Sequence, residues 1–380
     1  MTAGARSAGT GEVSTVLPLP YVDLFAKPTP LEHLQRFSHA LGDIAAQAGH
    51  DPAVEVWMKR EDLISIGLGG NKLRNLEFHV GAAMAQGAGA LVTSGRGRAN
   101  HCRLTAAAAA RAGLRCVLVL SGPMPAEPSP NERVCQVLGA ELRYSSDSSV
   151  AARLDLLGDV LAELRAGHTI PYEVELGASG LIGAAGQVLA GMELANQLSE
   201  LGLSPDYLFV GAATGGTYAG LRVGLWRARL NTKVVGVPTY FSAASSESDF
   251  RDHLVLLMSK LRELWGKSGE IGLAPWSDEV VLDDLTSWLP YGTASPEAMV
   301  AGRLLGGSEG IAADPVYTAR VAASVVAWVL AGRLEGKTIV LWHGGGTPAL
   351  FEDYGTPTND RVVATPARIS APTGTLGGLK

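Results

Sequence analysis

The stretch "GLGGNKLRN", Gly67 to Asn75, sets a single lysine, Lys72, behind three glycines and an asparagine where a loop turns into a helix. An arbitrary lysine is a solvated surface charge. Glycines, however, let another group approach the backbone closely. A lysine held there in a partly desolvated cleft loses its proton more readily and becomes a nucleophile.

Three further loops carry residue types that suit a site. Thr214-Gly215-Gly216-Thr217 follows the apolar run "DYLFVGAA" and leads into the helical stretch "YAGLRVGLWRA". Glycines expose backbone N–H groups, threonines add hydroxyls and a helix N-terminus favours an anion, so this loop is a phosphate cradle or else a tight turn. It lacks the GK[ST] ending and the GxGxxG spacing that ATP and NAD readings need. Arg96-Gly97-Arg98-Ala99-Asn100-His101 enters another helix, where amides can hold a carboxylate and Asn100 is equally suited to an N-cap. "HGGGTPALF" starts at His343, a residue type that more often holds structure together than catalyses.

The elements that must position these loops alternate along the chain. "ALVTSG", "RCVLVLSG", "ELRYSS", "YEVELGAS", "DYLFVGAA", "VVGVPT" and "TIVLWHGGG" read as short strands with helices between them. Such apolar runs suit parallel strands covered on both faces, with ligands beyond their carboxyl ends. The helix "SSVAARLDLLGDVLAELRAG" sets Leu154, Leu157, Leu161 and Leu164 on one predicted buried face. Alanine-rich "RLTAAAAARAGLR" reads as a closely packed helix. The expected class is α/β, with two open, twisted parallel sheets and a cleft between them.

Composition narrows the function classes. At 380 residues, 47% hydrophobic and 18% charged, the chain suits a globular enzyme of two subdomains. A net charge of -6 with scattered arginines argues against nucleic acid. Cys102, Cys116 and Cys135 form no CxxC pair and read as reduced thiols. The first twenty residues show no secretory core and no later run approaches a membrane span, so a cytoplasmic location is expected. No metal site is expected.

A phosphate cradle, a carboxylate-binding loop and an activated lysine together point to pyridoxal 5'-phosphate, a phosphorylated aldehyde whose ring stores electrons released at an amino acid's α-carbon. Here the sequence resembles the fold-type-II (tryptophan synthase β-like) pyridoxal-phosphate enzymes, and among them the branch of D-cysteine desulfhydrase and 1-aminocyclopropane-1-carboxylate deaminase. "PTPLEHL", "KREDL", "GGNKLRNLEF", "SGRGRANHCRLTAAAAA", "GAATGGTYAGL", "EGIAADPVYTARVA" and "HGGGTPALF" carry the resemblance in the family's order.

The resemblance implies a larger cofactor-binding domain from residues 1–70 and 181–380, a smaller α/β domain from residues 71–180, and a homodimer. Lys72 would hold the cofactor's aldehyde and then move protons. Asn71 would support its loop, Asn100 would meet the ring hydroxyl, and Thr214, Gly215, Gly216 and Thr217 would hold the phosphate. Tyr291 and Tyr317 would flank the substrate, whose carboxylate the amides around Ala99, Asn100 and His101 would take. Thr318 stands where deaminase-like relatives carry a glutamate against the ring nitrogen, which favours elimination over ring opening.

Departures from the pattern matter too. Arg98 and Ala99 replace an expected glutamine and serine, Gly180 an asparagine and Gly344 a threonine. Arg96 and Arg98 are then expected either to read an extra anion on the substrate or to tie the loop to carboxylates such as Glu61 or Asp62. The expected activity is a lyase or deaminase-like reaction on a small amino acid, by α-deprotonation with β- or γ-elimination or replacement. The alternatives are an authentic D-cysteine desulfhydrase, the deaminase, or a non-catalytic cofactor binder.

Overall fold

The computed structural model describes residues 17–239, 246–266, 276–286, 289–290 and 292–352. The chain opens with β1 (Leu31–His33), α1 (Gln35–Gln47), β2 (Val54–Arg60) and α2 (Lys72–Ala85). It continues through β3 (Ala90–Gly95), α3 (Asn100–Ala112), β4 (Arg115–Leu120), α4 (Pro130–Val137), β5 (Glu141–Tyr144), α5 (Val150–Ala166) and β6 (Pro171–Val174). The remainder comprises α6 (Gly180–Glu200), β7 (Tyr207–Ala212), α7 (Gly216–Arg227), β8 (Lys233–Pro238), α8 (Glu247–Gly266), β9 (Val281–Leu282), α9 (Pro296–Glu309), α10 (Thr318–Leu330) and β10 (Lys337–His343).

Two sheets result, one of six strands in the order β1-β2-β10-β7-β8-β9 and one of four in the order β5-β4-β3-β6. The smaller sheet is wholly parallel. The larger departs from the expected parallel sheet at one edge, where β1 runs antiparallel to β2. Both faces of each sheet are covered, which explains why the strands read as unbroken apolar runs. On the larger sheet α1, α9 and α10 cover one face and α6, α7 and α8 the other. The smaller sheet packs α2 and α3 on one face and α5 on the other.

Local chemistry accounts for these contacts. Ala106 to Ala109 of α3 are all buried, and methyl-sized side chains let the helix lie close to β3 and α2. In α5 the buried stripe is Arg153, Leu157, Val160 and Leu164, whereas Leu154 is exposed. The expected leucine face is thus rotated. Spacings of three and four follow the helical period from Leu157 through Val160 to Leu164, and each such apolar side chain stabilises by roughly 1.5–3 kcal/mol when fully buried.

Contrary to the expectation that no run approaches a membrane span, one segment, Leu176–Glu200, is long and apolar enough to cross a membrane by length and composition. In this fold most of it is buried, with α6 packed against α2 and α7.

Register decides where the loops meet. β10 pairs with β2 from Lys337 opposite Val54 to His343 opposite Arg60, so the two strands end at one level. The loops that follow them then touch, with Asn71 N donating to Gly344 O at 3.0 Å. Gly345 permits this contact, because its φ is +94° and a Cβ there would lie 2.6 Å from Gly70 Cα.

Candidate active site

A cleft of about 160 Å³ opens beyond the carboxyl ends of β3, β7 and β10. A cavity of that size can hold a small ring. Asn71, Lys72, Arg96, Ala99, Asn100, His101, Thr214, Gly215, Thr217, Tyr317 and Thr318 all line it. Four loops separated by up to 247 residues of chain (318 − 71) are therefore brought together, as the parallel topology requires. Gly216 begins α7 just behind this surface. Tyr291 lies outside the described residues.

Lys72 begins α2, and burial lowers its ammonium to about 8. No hydrogen bond or ion pair reaches its Nζ among the described residues. Lys59 is the instructive contrast. Its buried Nζ is saturated by Thr29 O at 2.8 Å, Glu193 Oε1 at 2.5 Å and Gln197 Oε1 at 2.5 Å. Lys59 thus belongs to an ion-pair network with Arg74 and Glu61, and Lys72 alone of the two keeps an amine for chemistry.

The helix starts beside Lys72 supply anion-binding groups. The N-cap residues of α3 and α7, Ala99 and Gly215, make no side-chain cap. The amides of Asn100 and His101, and of Thr217 and Tyr218, find no hydrogen-bond partner among the described residues. Unpaired first-turn amides favour a bound anion. Gly216 N donates to Ser179 Oγ at 3.1 Å, which fixes the glycine turn. Asn71 Nδ2 donates to Thr217 Oγ1 at 3.0 Å, leaving the threonine proton free to donate outward. One anion site on each side of a partnerless lysine fits a phosphorylated aldehyde and an amino-acid carboxylate.

Beneath Thr318, Asp314 accepts the Tyr317 and Thr318 amides at 2.9 and 3.0 Å. Burial raises the Asp314 carboxyl. His343 Nε2 faces Ala312 O at 3.1 Å and its Nδ1 faces Gly345 N at 3.3 Å. A carbonyl can only accept and an amide can only donate, so neutral His343 carries its proton on Nε2. Thr318 Oγ1, 3.2 Å from Nδ1, then donates to it and turns a lone pair toward other groups. His343 is structural here, as its residue type suggested.

His101 is buried, with Nε2 3.1 Å from Ser94 O. Desolvation lowers its imidazole to about 4, against the opposing Ser94 hydrogen bond. Arg96 is exposed on the cleft wall. Arg98 requires a correction, since it does not line the cleft and its Nε meets Glu352 Oε2 at 2.9 Å. The turn closed by Ala99 N on Arg96 O, together with Asn131 Nδ2 on Arg98 O, orients this part of the loop. Nor are Glu61 and Asp62 its partners, because Arg74 and Arg60 take them.

Sequence reasoning missed the supports. Arg103 donates from Nε to Asn131 Oδ1 at 2.8 Å, and its other nitrogens bind Gly67 O and Gly69 O, with Asn100 Oδ1 3.4 Å away. It thereby couples the lysine loop to the start of α3. Gln187 Nε2 holds Asn71 O at 2.8 Å from α6. Arg153, which lines the cleft from α5, was also missed. Arg103 lies within a quoted motif, whereas nothing local marks the other two. At Gly344 a Cβ would meet Asn71 Oδ1 at an ordinary 3.4 Å, so the backbone there does not require glycine for want of space at Cβ. At Gly180 the Glu175 carboxylate fills that space.

Comparison with known proteins agrees with this geometry. The family profile described as pyridoxal-phosphate dependent enzyme matches residues 22–345. D-cysteine desulfhydrase of Salmonella choleraesuis (strain SC-B67) is 33% identical over 342 residues, covering 87% of this chain and 95% of that protein. The Salmonella newport (strain SL254) protein of the same name gives the same identity and coverage. A crystal structure of an ACC deaminase homologue superposes with a TM-score of 0.72 at 30% identity, covering 88% of this chain and 94% of the other. O-ureido-L-serine synthase, at TM-score 0.59 and 20% identity over 88% and 94% of the two chains, shares the fold. The chain belongs to the pyridoxal-phosphate-dependent enzymes of fold type II, in the D-cysteine desulfhydrase and ACC deaminase-like family.

Proposed function

We propose that Lys72 removes the α-proton of a small amino acid and that a β- or γ-substituent then leaves or is replaced. The observation that carries this reading is the partnerless Lys72 amine, lowered to about 8, between two helix starts with unpaired amides. Near neutral pH such an amine exchanges protons more readily than an ordinary lysine. Pyridoxal phosphate, when bound, supplies the aldehyde that takes the amino group and the ring that accepts the electrons.

The chain's own residues supply the rest. The α7 amides with Thr214 and Thr217 hold the phosphate, and Asn71 braces both Lys72 and Thr217. Asn100 meets the ring hydroxyl, and the α3 amides orient the substrate carboxylate. Tyr317 flanks the substrate, and the resemblance gives Tyr291, outside the described residues, the same role. Thr318 offers a neutral oxygen to the ring nitrogen in place of a carboxylate, which leaves a weaker electron sink and favours elimination. On this reading residues 1–70 and 181–380 form the larger cofactor-binding domain and residues 71–180 the smaller one. The family supports a cytoplasmic homodimer.

The 33% identity favours D-cysteine desulfhydrase as a second reading. Ala99, Gly180 and Gly344 weigh against it, because each lacks the polar group the desulfhydrase-like pattern carries. The test is absorbance titration of the purified yellow protein with D- and L-amino acids, with product analysis. A band shift with product from D-cysteine alone selects the desulfhydrase, and a shift with another small amino acid selects the broader reading. A stable band that none disturbs reduces the protein to a cofactor binder.

A further inference from the structure

Among the described residues buried cations are compensated in different ways, by carboxylates at Arg74 and Lys59 and by backbone and amide oxygens at Arg103, whose guanidinium nitrogens all find acceptors. Arg74 and Lys59 are held by Glu61 and Glu193. Arg153 is only 9% exposed and pairs with no carboxylate among the described residues. Its one hydrogen bond there is from Nη1 to Ser121 Oγ at 2.9 Å, and its Nε is buried without a partner. Removing a guanidinium from water without an anion is costly, so such a group marks a place that a ligand completes.

Its position says which ligand. Arg153 stands in the first turn of α5 and lines the cleft together with Ser148, Val150, Arg96 and His101. The cofactor phosphate has its own cradle at α7, and the amides of Asn100 and His101 suffice for one carboxylate. His101 is held neutral at physiological pH by burial, so it cannot compete with Arg153 for an anion. We infer that Arg153 reads a second anionic group, carried on the side chain of the amino acid. This rests on the proposed use of the cleft for an amino acid, and it deepens that reading by naming the substrate class: amino acids with a carboxylate, phosphate or sulfonate on the side chain. A guanidinium fork suits all three.

Two measurements on the holoenzyme test it, with Arg153→Met and the charge-conserving Arg153→Lys beside the parent. Calorimetry compares succinate with butyrate, a matched pair that needs no turnover. Absorbance titration and kcat/KM compare aspartate, O-phosphoserine and cysteate with alanine, serine and cysteine, in both configurations. The parent is expected to bind succinate at least tenfold more tightly than butyrate and to prefer anionic amino acids. Arg153→Met should erase both preferences, lowering kcat/KM for anionic substrates by thirtyfold or more and leaving neutral ones within threefold, and Arg153→Lys should keep part of each. An equal loss for all amino acids would assign Arg153 to the α-carboxylate or to the fold and overturn the inference, as would a parent that favours butyrate or neutral substrates. A succinate preference that depends on Arg153, in a protein no amino acid perturbs, would uphold the anion site and sink the catalytic reading instead.

Discussion

Helix starts that keep their first-turn amides open to the cleft differ from those capped by a serine. The caps of α4, α5 and α9, Ser129, Ser149 and Ser295, each accept from a first-turn amide of their own helix. Ser246 does the same for α8 through Asp249 N at 3.1 Å. None of these serines lines the cleft. Asn71, Ala99 and Gly215, which do, cap nothing with their side chains. Tyr317 does not cap α10 either, and Asp314 serves that helix in its place. An N-cap is worth about 1 kcal/mol. The four serine-capped helices take that stabilisation, α5 included although Val150 and Arg153 reach the cleft, whereas α3 and α7 forgo it and keep amides for a ligand.

The comparison breaks most visibly at Lys72. Lys72→Ala should abolish turnover with the fold retained, and borohydride reduction of the parent followed by peptide mapping should place the cofactor on Lys72. A labelled Lys59 peptide would contradict the assignment, because Lys59 is already saturated by Glu193, Gln197 and Thr29.

A second consequence concerns stability. Lys72 titrates at about 8 in the folded protein, below an unfolded lysine at 10.5. Below pH 8 it is protonated in both states and the folded one bears the full desolvation cost, which fades as pH rises toward 10.5. Lys72→Met should therefore stabilise the apoprotein by at most about 3 kcal/mol at pH 7, with no gain left by about pH 10.5. Urea melts at both pH values measure this, and an advantage that grows with pH would refute it.

Thr217→Val should weaken cofactor binding by about 1.5–3 kcal/mol, since it removes a donor to phosphate and leaves Asn71 Nδ2 without its acceptor. Unchanged affinity in equilibrium dialysis would make the glycine loop only a turn.

The smallest effects sharpen the contrast between caps. Ser295→Ala should cost about 1 kcal/mol and leave cofactor affinity unaltered. Ala99→Ser should add up to about 1 kcal/mol to the apoprotein, and less when substrate carboxylate competes for the same amides. An equal gain with and without ligand, read from thermal melts, would show that those amides do not serve the ligand.

Much of the site was legible because it is local. A lysine behind glycines, a TGGT turn before a helix and an asparagine opening an alanine-rich helix are each written in fewer than ten consecutive residues, and glycine tolerates turns closed to other residues. Leu154 misled because a leucine repeat does not say which stripe of a helix meets the sheet. Arg98 misled because a loop residue's direction depends on a turn closed by Ala99 and braced by Asn131, and its partner Glu352 lies 254 residues further on (352 − 98).

By itself the sequence determined the alternation of strands and helices, the cofactor class and the loops that would meet, since apolar period and turn chemistry act over a few residues. Only the tertiary structure decided which of two lysines is left without partners, which arginine turns to solvent and which lines the cleft. Those outcomes depend on which groups become neighbours when β2, β10 and α5 dock, and on how much water each loses. Desolvation and pairing are properties of a surroundings assembled from distant segments, and no local pattern encodes them.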